Sequence, residues 1–206
     1  MKTCIIAQSD GSAIKETLNV IRSGGVVAVP TDTVYGIACS VGNSNAIHSL
    51  FQIKIRGCLK AIPVLIGDIN QIDLVAKSLN ENARKLAQSF WPGALTLIVA
   101  KNKSLPTILT IHPTVGVRIP DHGWLRAIIL KTGPLAATSA NISGETSPST
   151  ASQVLDQLNG RIELIIDGGE CKGGISSTVV DCSGEEIKIL REGGITPEQI
   201  QSALGK

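Results

Sequence analysis

Four polar stretches carry the side chains most able to do chemistry. Pro30-Thr31-Asp32-Thr33-Val34-Tyr35-Gly36 sets two hydroxyls and a carboxylate beside a glycine. It can bind a small polar ligand, or it can be an ordinary turn whose Thr and Asp bond their own backbone. Lys54-Ile55-Arg56-Gly57-Cys58-Leu59-Lys60 concentrates Lys54, Arg56 and Lys60 with no acid among them. Cations suit a helix C-terminus, and short charge clusters are commonly solvated. They also suit a triphosphate, because Arg grips oxygens bidentately and Lys acts as a point charge. Thr138-Ser139-Ala140-Asn141-Ile142-Ser143-Gly144, continuing to Ser149, offers hydroxyls and amides to a carboxylate or phosphate. The same residues could equally form a capping or Asx-turn loop. The fourth stretch is glycine-rich, with Gly168-Gly169, Gly173-Gly174, Ser176-Ser177-Thr178 and Arg191-Glu192-Gly193-Gly194. These glycines permit positive φ or close backbone approach, and none fits a Walker or Rossmann fingerprint. Arg118, in Val117-Arg118-Ile119-Pro120, faces away from its apolar neighbours and could clamp a carboxylate or pair with a surface acid.

These stretches need a scaffold, and the apolar pattern predicts one. Val26-Val27-Ala28-Val29 reads as a buried strand ending at Pro30. Residues 95–100 read as another, and Val115, Val117 and Ile119 alternate with Gly116 and Arg118 at period two. Further strands are expected at 135–138, 164–167, 178–182 and 187–190. Helices are expected between them at 13–22, 46–54, 80–89, 124–131 and 151–158. Gly24 stops the first, the loop around Asn43 caps the second, and Asn80 caps the third. Thr196-Pro197-Glu198-Gln199 is a capping box with Pro in the first turn, opening a last helix to residue 204. Interspersed strands and helices imply an α/β or α+β fold. No repeat or linker divides the 206 residues, so residues 1–206 read as a single domain.

Composition narrows the function classes. Hydrophobic residues at 43% and charged residues at 17% describe a globular chain with a real core. A net charge of +2 leaves no broad nucleic-acid footprint, and 2% aromatic residues are few for a protein that stacks single-stranded bases. Five scattered cysteines and three unclustered histidines predict reduced thiols and no protein-held metal. No apolar run is long enough to span a bilayer, and the apolar start is too short for a secretory signal. A cytoplasmic location without membrane contact is expected.

Taken in order, six motifs resemble the YrdC-like proteins. They are Pro30 to Gly36 as quoted above; Lys54-x-Arg56-x-x-x-Lys60; Trp91-Pro92-Gly93-x-x-Thr96; Val117-Arg118-Ile119-Pro120; Ser139-Ala140-Asn141-Ile142-Ser143-Gly144; and Ser177-Thr178-Val179-Val180-Asp181. The match runs from about Gly24 to Gly194. Each motif alone is weak, but six in sequence is specific. The cation stretch departs from the family's pattern: Ile55 stands where a Gly is usual, Gly57 where a Pro is usual, and Ala61-Ile62 where Pro-Leu is usual.

The resemblance implies a twisted mixed sheet with flanking helices and an open basic cleft. It implies synthesis of L-threonylcarbamoyl-adenylate and pyrophosphate from ATP, L-threonine and bicarbonate, supplying threonylcarbamoyladenosine modification of tRNA. Magnesium would arrive with ATP, and partner proteins would transfer the product to tRNA. The resemblance is to the short, single-domain form. By this resemblance Thr31, Arg118, Ser139 and Ser177 or Thr178 bind threonine. Arg56, Lys60, Asn141, Ser149 and Arg191 bind ATP, and Lys54, Arg56 and Lys60 carry catalysis by charge. Two alternatives remain open: a non-catalytic relative that binds double-stranded RNA or a nucleotide, and a related carbamoyl-adenylate enzyme with another substrate.

Overall fold

The computed structural model describes residues 2–55 and 61–205. Ten strands among them form one mixed sheet: β1 (Cys4–Ala7), β2 (Val27–Val29), β3 (Gly36–Ser40), β4 (Val64–Leu65), β5 (Leu95–Ala100), β6 (Thr114–Arg118), β7 (Leu135–Ser139), β8 (Leu164–Asp167), β9 (Thr178–Asp181) and β10 (Lys188–Arg191). Their spatial order is β1-β8-β2-β3-β7-β4-β6-β5-β9-β10. Pairs β1–β8, β8–β2, β4–β6 and β5–β9 are parallel, and the rest are antiparallel. The expected mixed α/β sheet is therefore present.

Six α-helices among the described residues flank it: α1 (Ala13–Arg22), α2 (Ser44–Ile53), α3 (Glu81–Phe90), α4 (Gly123–Thr132), α5 (Ala151–Leu158) and α6 (Pro197–Ala203). Their starts follow side-chain capping. Asn43 and Asn80 accept the N–H of Ala46 and Ala83 at 3.0 and 2.9 Å. Thr196 and Gln199 close the capping box of α6.

Strand alternation explains where these helices go. Leu95, Leu97, Val99, Val115, Val117, Ala136 and Val180 point to one face and join a core cluster with residues of α2, α3, α5 and α6. On the opposite face Val27, Val29, Ala38, Leu135 and Ile166 pack under α1 and α4. That second cluster takes no residue from β5, β6, β9 or β10. Among the described residues, half of one sheet face is thus left without a helical cover. Thr96, Ile98, Gly116, Arg118 and Val179, which alternate with the core residues, form its surface.

Candidate active site

The uncovered half-face is the floor of a cavity of about 300 Å³, a size within the range of small-molecule sites. Thr31 and Thr33 come from the loop after β2, Ser139 from the end of β7, Ser177 from the residue before β9 and Arg191 from the end of β10. These side chains are remote in sequence, and the strand order places them on one wall. Glycine lets the loops close together. At Gly193 a Cβ would sit 2.5 Å from the Thr178 nitrogen and against the Ser176 carbonyl. At Gly173 it would sit 2.5 Å from the Asp32 carbonyl. Both are positions of close backbone approach.

Arg118 is the centre of the site. It is 7% exposed, yet it lines the cavity. Its Nε donates to the Gly93 carbonyl at 2.9 Å, Nη1 donates to Thr33 Oγ1 at 3.0 Å, and Nη2 pairs with Asp32 Oδ1 at 2.6 Å. A guanidinium has five N–H donors, so one remains on each Nη nitrogen for a ligand. Arg191 donates through Nε and Nη2 to the Ser177 carbonyl at 3.1 and 2.9 Å and to Ser177 Oγ at 3.2 Å. Burial, and then the charge of Arg118, pull the pKa of Arg191 down from its ordinary value. The two guanidiniums therefore sense each other across the cavity, which suits it to an anion. Ser177 Oγ also shares a hydrogen bond of 2.8 Å with Thr96 Oγ1.

Some expected residues are used differently. Thr178 pairs with Leu95 on the core side, and its hydroxyl exchanges hydrogen bonds with the backbone of Ile195 at 2.7 and 3.0 Å. Of the pair Ser177 and Thr178, only Ser177 reaches the cavity, because adjacent strand residues face opposite ways. Lys54, expected to hold phosphates, is 2% exposed, and its Nζ donates to the carbonyls of Ser139 and Asn141 at 2.5 and 2.6 Å and to Asn141 Oδ1 at 3.3 Å. Its charge holds the loop after β7. Asn141 turns its amide inward, donating to the carbonyls of Ile142 and Glu145, both at 2.8 Å. Ser149 bonds Gln153 Oε1 at 3.3 Å. Neither Asn141 nor Ser149 lines this cavity. Arg56 and Lys60 lie outside the described residues.

Other residues enter the site that motif reading assigned no role. Asp32 and Thr33 hold Arg118, and Thr96 holds Ser177. Thr31 Oγ1 accepts the Thr33 N–H at 3.0 Å and donates to the Val34 carbonyl at 2.8 Å, which shapes this loop from within. The buried Tyr35 hydroxyl donates to the Gly169 carbonyl at 2.8 Å and accepts the Gly168 N–H at 3.1 Å, tying that loop to the glycine-rich stretch. Asp32 and Thr33 directly follow Thr31 in the sequence, so the signal was local. The Thr96–Ser177 contact depends on the parallel pairing of β5 with β9 and has no local signal.

Comparison with known proteins now decides the family. A family model described as telomere recombination, covering Sua5, YciO and YrdC, matches residues 19–193. The chain belongs to this family. It is 40% identical over 195 residues to the threonylcarbamoyl-AMP synthase of Pyrococcus abyssi, covering 94% of this chain and 57% of that protein. It is 36% identical over 203 residues to a putative threonylcarbamoyl-AMP synthase of Mycobacterium tuberculosis, covering 98% of this chain and 94% of that one. A crystal structure of P. abyssi Sua5 complexed with L-threonine superposes with a TM-score of 0.94 at 38% identity, over 98% of this chain and 61% of that chain. The chain therefore spans little more than half the length of the P. abyssi relative. The YrdC-like fold expected from the six motifs is the fold observed.

Proposed function

We propose that this Sua5/YciO/YrdC-family chain joins L-threonine, bicarbonate and ATP into L-threonylcarbamoyl-adenylate and releases pyrophosphate. One observation carries the reading. Arg118, with an N–H left on each Nη, shares a 300 Å³ cavity with Ser139, Ser177 and Arg191. A planar two-pronged donor matches a carboxylate, and the hydroxyls suit an amino acid's polar groups. The L-threonine complex of P. abyssi Sua5 supports the same assignment.

In this reading the free amine of threonine adds to carbon dioxide derived from bicarbonate, giving a carbamate. A carbamate oxygen then bonds the α-phosphorus of ATP as the bond to the β-phosphate oxygen breaks, and pyrophosphate leaves. Arg118 fixes the α-carboxylate, Arg191 faces the nucleotide, and Arg56 and Lys60 neutralise the leaving group. Positioning and charge do the catalysis. The buried thiols fit a route with no covalent intermediate: burial pushes Cys39 and Cys182 up to about 12 and raises Cys171 as well. Thiols held that high are poor nucleophiles at neutral pH.

Among the described residues no group of three His, Cys, Asp or Glu could hold a metal ion, and Asp32 is committed to Arg118. Magnesium would come with the nucleotide, held by phosphate oxygens and water. The single-domain unit, the tRNA-modifying transferase partners, an RNA contact and a cytoplasmic setting belong to the same proposal. Among the described residues no helix is long and apolar enough to cross a membrane.

The test is pyrophosphate release from ATP, with threonine and bicarbonate omitted in turn. Release should require both. Release without threonine would overturn the proposal, and salt-sensitive RNA binding without any release would favour a binding module.

A further inference from the structure

The ion pair behind Arg118 has more in it than anchoring. The side chain of Asp32 is only 14% exposed and does not line the cavity, so it meets the site through Arg118. Its backbone is backed by Gly173, whose missing side chain lets the two loops touch. Asp32 is thus held in place before any ligand arrives.

Left alone in a cleft with Arg191, Arg118 could present five N–H donors to any anion, and a nucleotide-binding cleft contains many phosphate oxygens. The three contacts to Gly93, Thr33 and Asp32 remove three of those donors, one from each nitrogen. We infer that Asp32 is a positioning and specificity residue: with Thr33 and Gly93 it leaves Arg118 one N–H on each Nη, and its charge makes the pair favour a carboxylate over a phosphate. The inference rests on the reading that Arg118 takes the carboxylate of threonine. The carboxylate of Asp32 also offsets one of the two guanidinium charges that the described residues bring to the cleft, which weakens nonspecific hold on phosphate. A two-pronged fork serves carboxylate and phosphate alike; charge separates them, because a phosphate dianion loses more attraction than a carboxylate monoanion when Asp32 offsets the guanidinium.

The test measures L-threonine and ATP affinities separately by calorimetry on the full chain, for Asp32→Asn, Asp32→Ala, Arg118→Ala and the double variant Asp32→Ala/Arg118→Ala. Asp32→Asn keeps an oxygen acceptor and the shape, and should weaken L-threonine about tenfold. Asp32→Ala should weaken it up to about a hundredfold, the range for losing a charged hydrogen bond. ATP affinity should stay within about twofold, and millimolar inorganic phosphate should begin to compete with L-threonine in Asp32→Ala. In the Arg118→Ala background, Asp32→Ala should cost nothing more. If Arg118→Ala binds threonine normally, the carboxylate reading itself fails. If Arg118→Ala loses threonine while Asp32→Asn and Asp32→Ala keep it, only the role of Asp32 is refuted. Equal loss of threonine and ATP, with a lowered melting temperature in both Asp32 variants, would show scaffolding alone and refute it too.

Discussion

Replacing Lys54 by Met separates a structural cation from a phosphate-binding one. The side chain is 2% exposed, and its three N–H bonds reach two backbone carbonyls and the Asn141 amide oxygen. Met keeps the length but donates nothing. Three buried acceptors then lose a partner, at about 1 kcal/mol each at the low end for an unsatisfied buried group. Relief from burying a charge offsets part of this. The expected loss is about 2–3 kcal/mol, a large share of a typical stability of about 5–15 kcal/mol, so the variant still folds. Urea denaturation followed by Trp91 and Trp124 fluorescence should show the midpoint falling by about 1–1.5 M, with the slope unchanged for a typical m near 2 kcal/mol/M. Pyrophosphate release should fall at least tenfold, because the carbonyls of Ser139 and Asn141 no longer share an anchor. A phosphate ligand would behave otherwise: the midpoint would not move, and only the KM for ATP would rise. That result would refute the argument.

Three further outcomes follow from the geometry. Gly193→Ala places a Cβ 2.5 Å from the Thr178 nitrogen and against the Ser176 carbonyl. It should destabilise by about 2 kcal/mol or more and weaken L-threonine binding, read by thermal melts and calorimetry. Ile55, the residue after the C-cap of α2, has φ of 51° and is 64% exposed. A β-branched residue is strained there, so Ile55→Gly should raise stability by about 1 kcal/mol in urea melts despite the added chain entropy. His122 caps α4 by accepting the Leu125 N–H on Nδ1 at 3.3 Å, and burial lowers its pKa against the opposing pull of Asp32 and Asp121. Its folded pKa lies below the unfolded value, so its contribution is complete above about pH 6.5 and is lost as pH falls through the lowered value. His122→Asn, which keeps an acceptor without the titration, should flatten the pH dependence of stability between about pH 7 and pH 5.

Periodicity revealed most of the scaffold because long apolar patterns report burial directly. The strand over Leu95–Ala100, the alternation around Arg118 and the capped starts of α2, α3 and α6 are all where the residue pattern puts them. β1, β3 and β4 escaped for separate reasons. β1 is an edge strand with three of its four residues exposed. β3 starts at the last residue of a polar motif, and β4 has two residues. Arg118, Ser139, Ser177, Thr31 and Arg191, picked out by residue type and motif, line one cavity. What the motifs did not reveal is which partner each side chain already has. Lys54 is a cation in a basic stretch by sequence, and a buried tie between loops by structure. That distinction depends on β7 lying beside β3, with Ser139 opposite Gly36, which no local pattern encodes.

The cleft floor and the core are written on the same strands in alternate letters. Along β6, Val115 and Val117 are core while Gly116 and Arg118 face the cleft, and along β5 Leu97 and Val99 alternate with Thr96 and Ile98. Deleting a single residue from either strand would exchange the two readings, sending a guanidinium into hydrocarbon and valines into water. Deleting two would restore the parity. Length changes in odd steps are therefore closed to these strands, whereas single substitutions at the floor can retune what the cleft accepts without disturbing the layer beneath it.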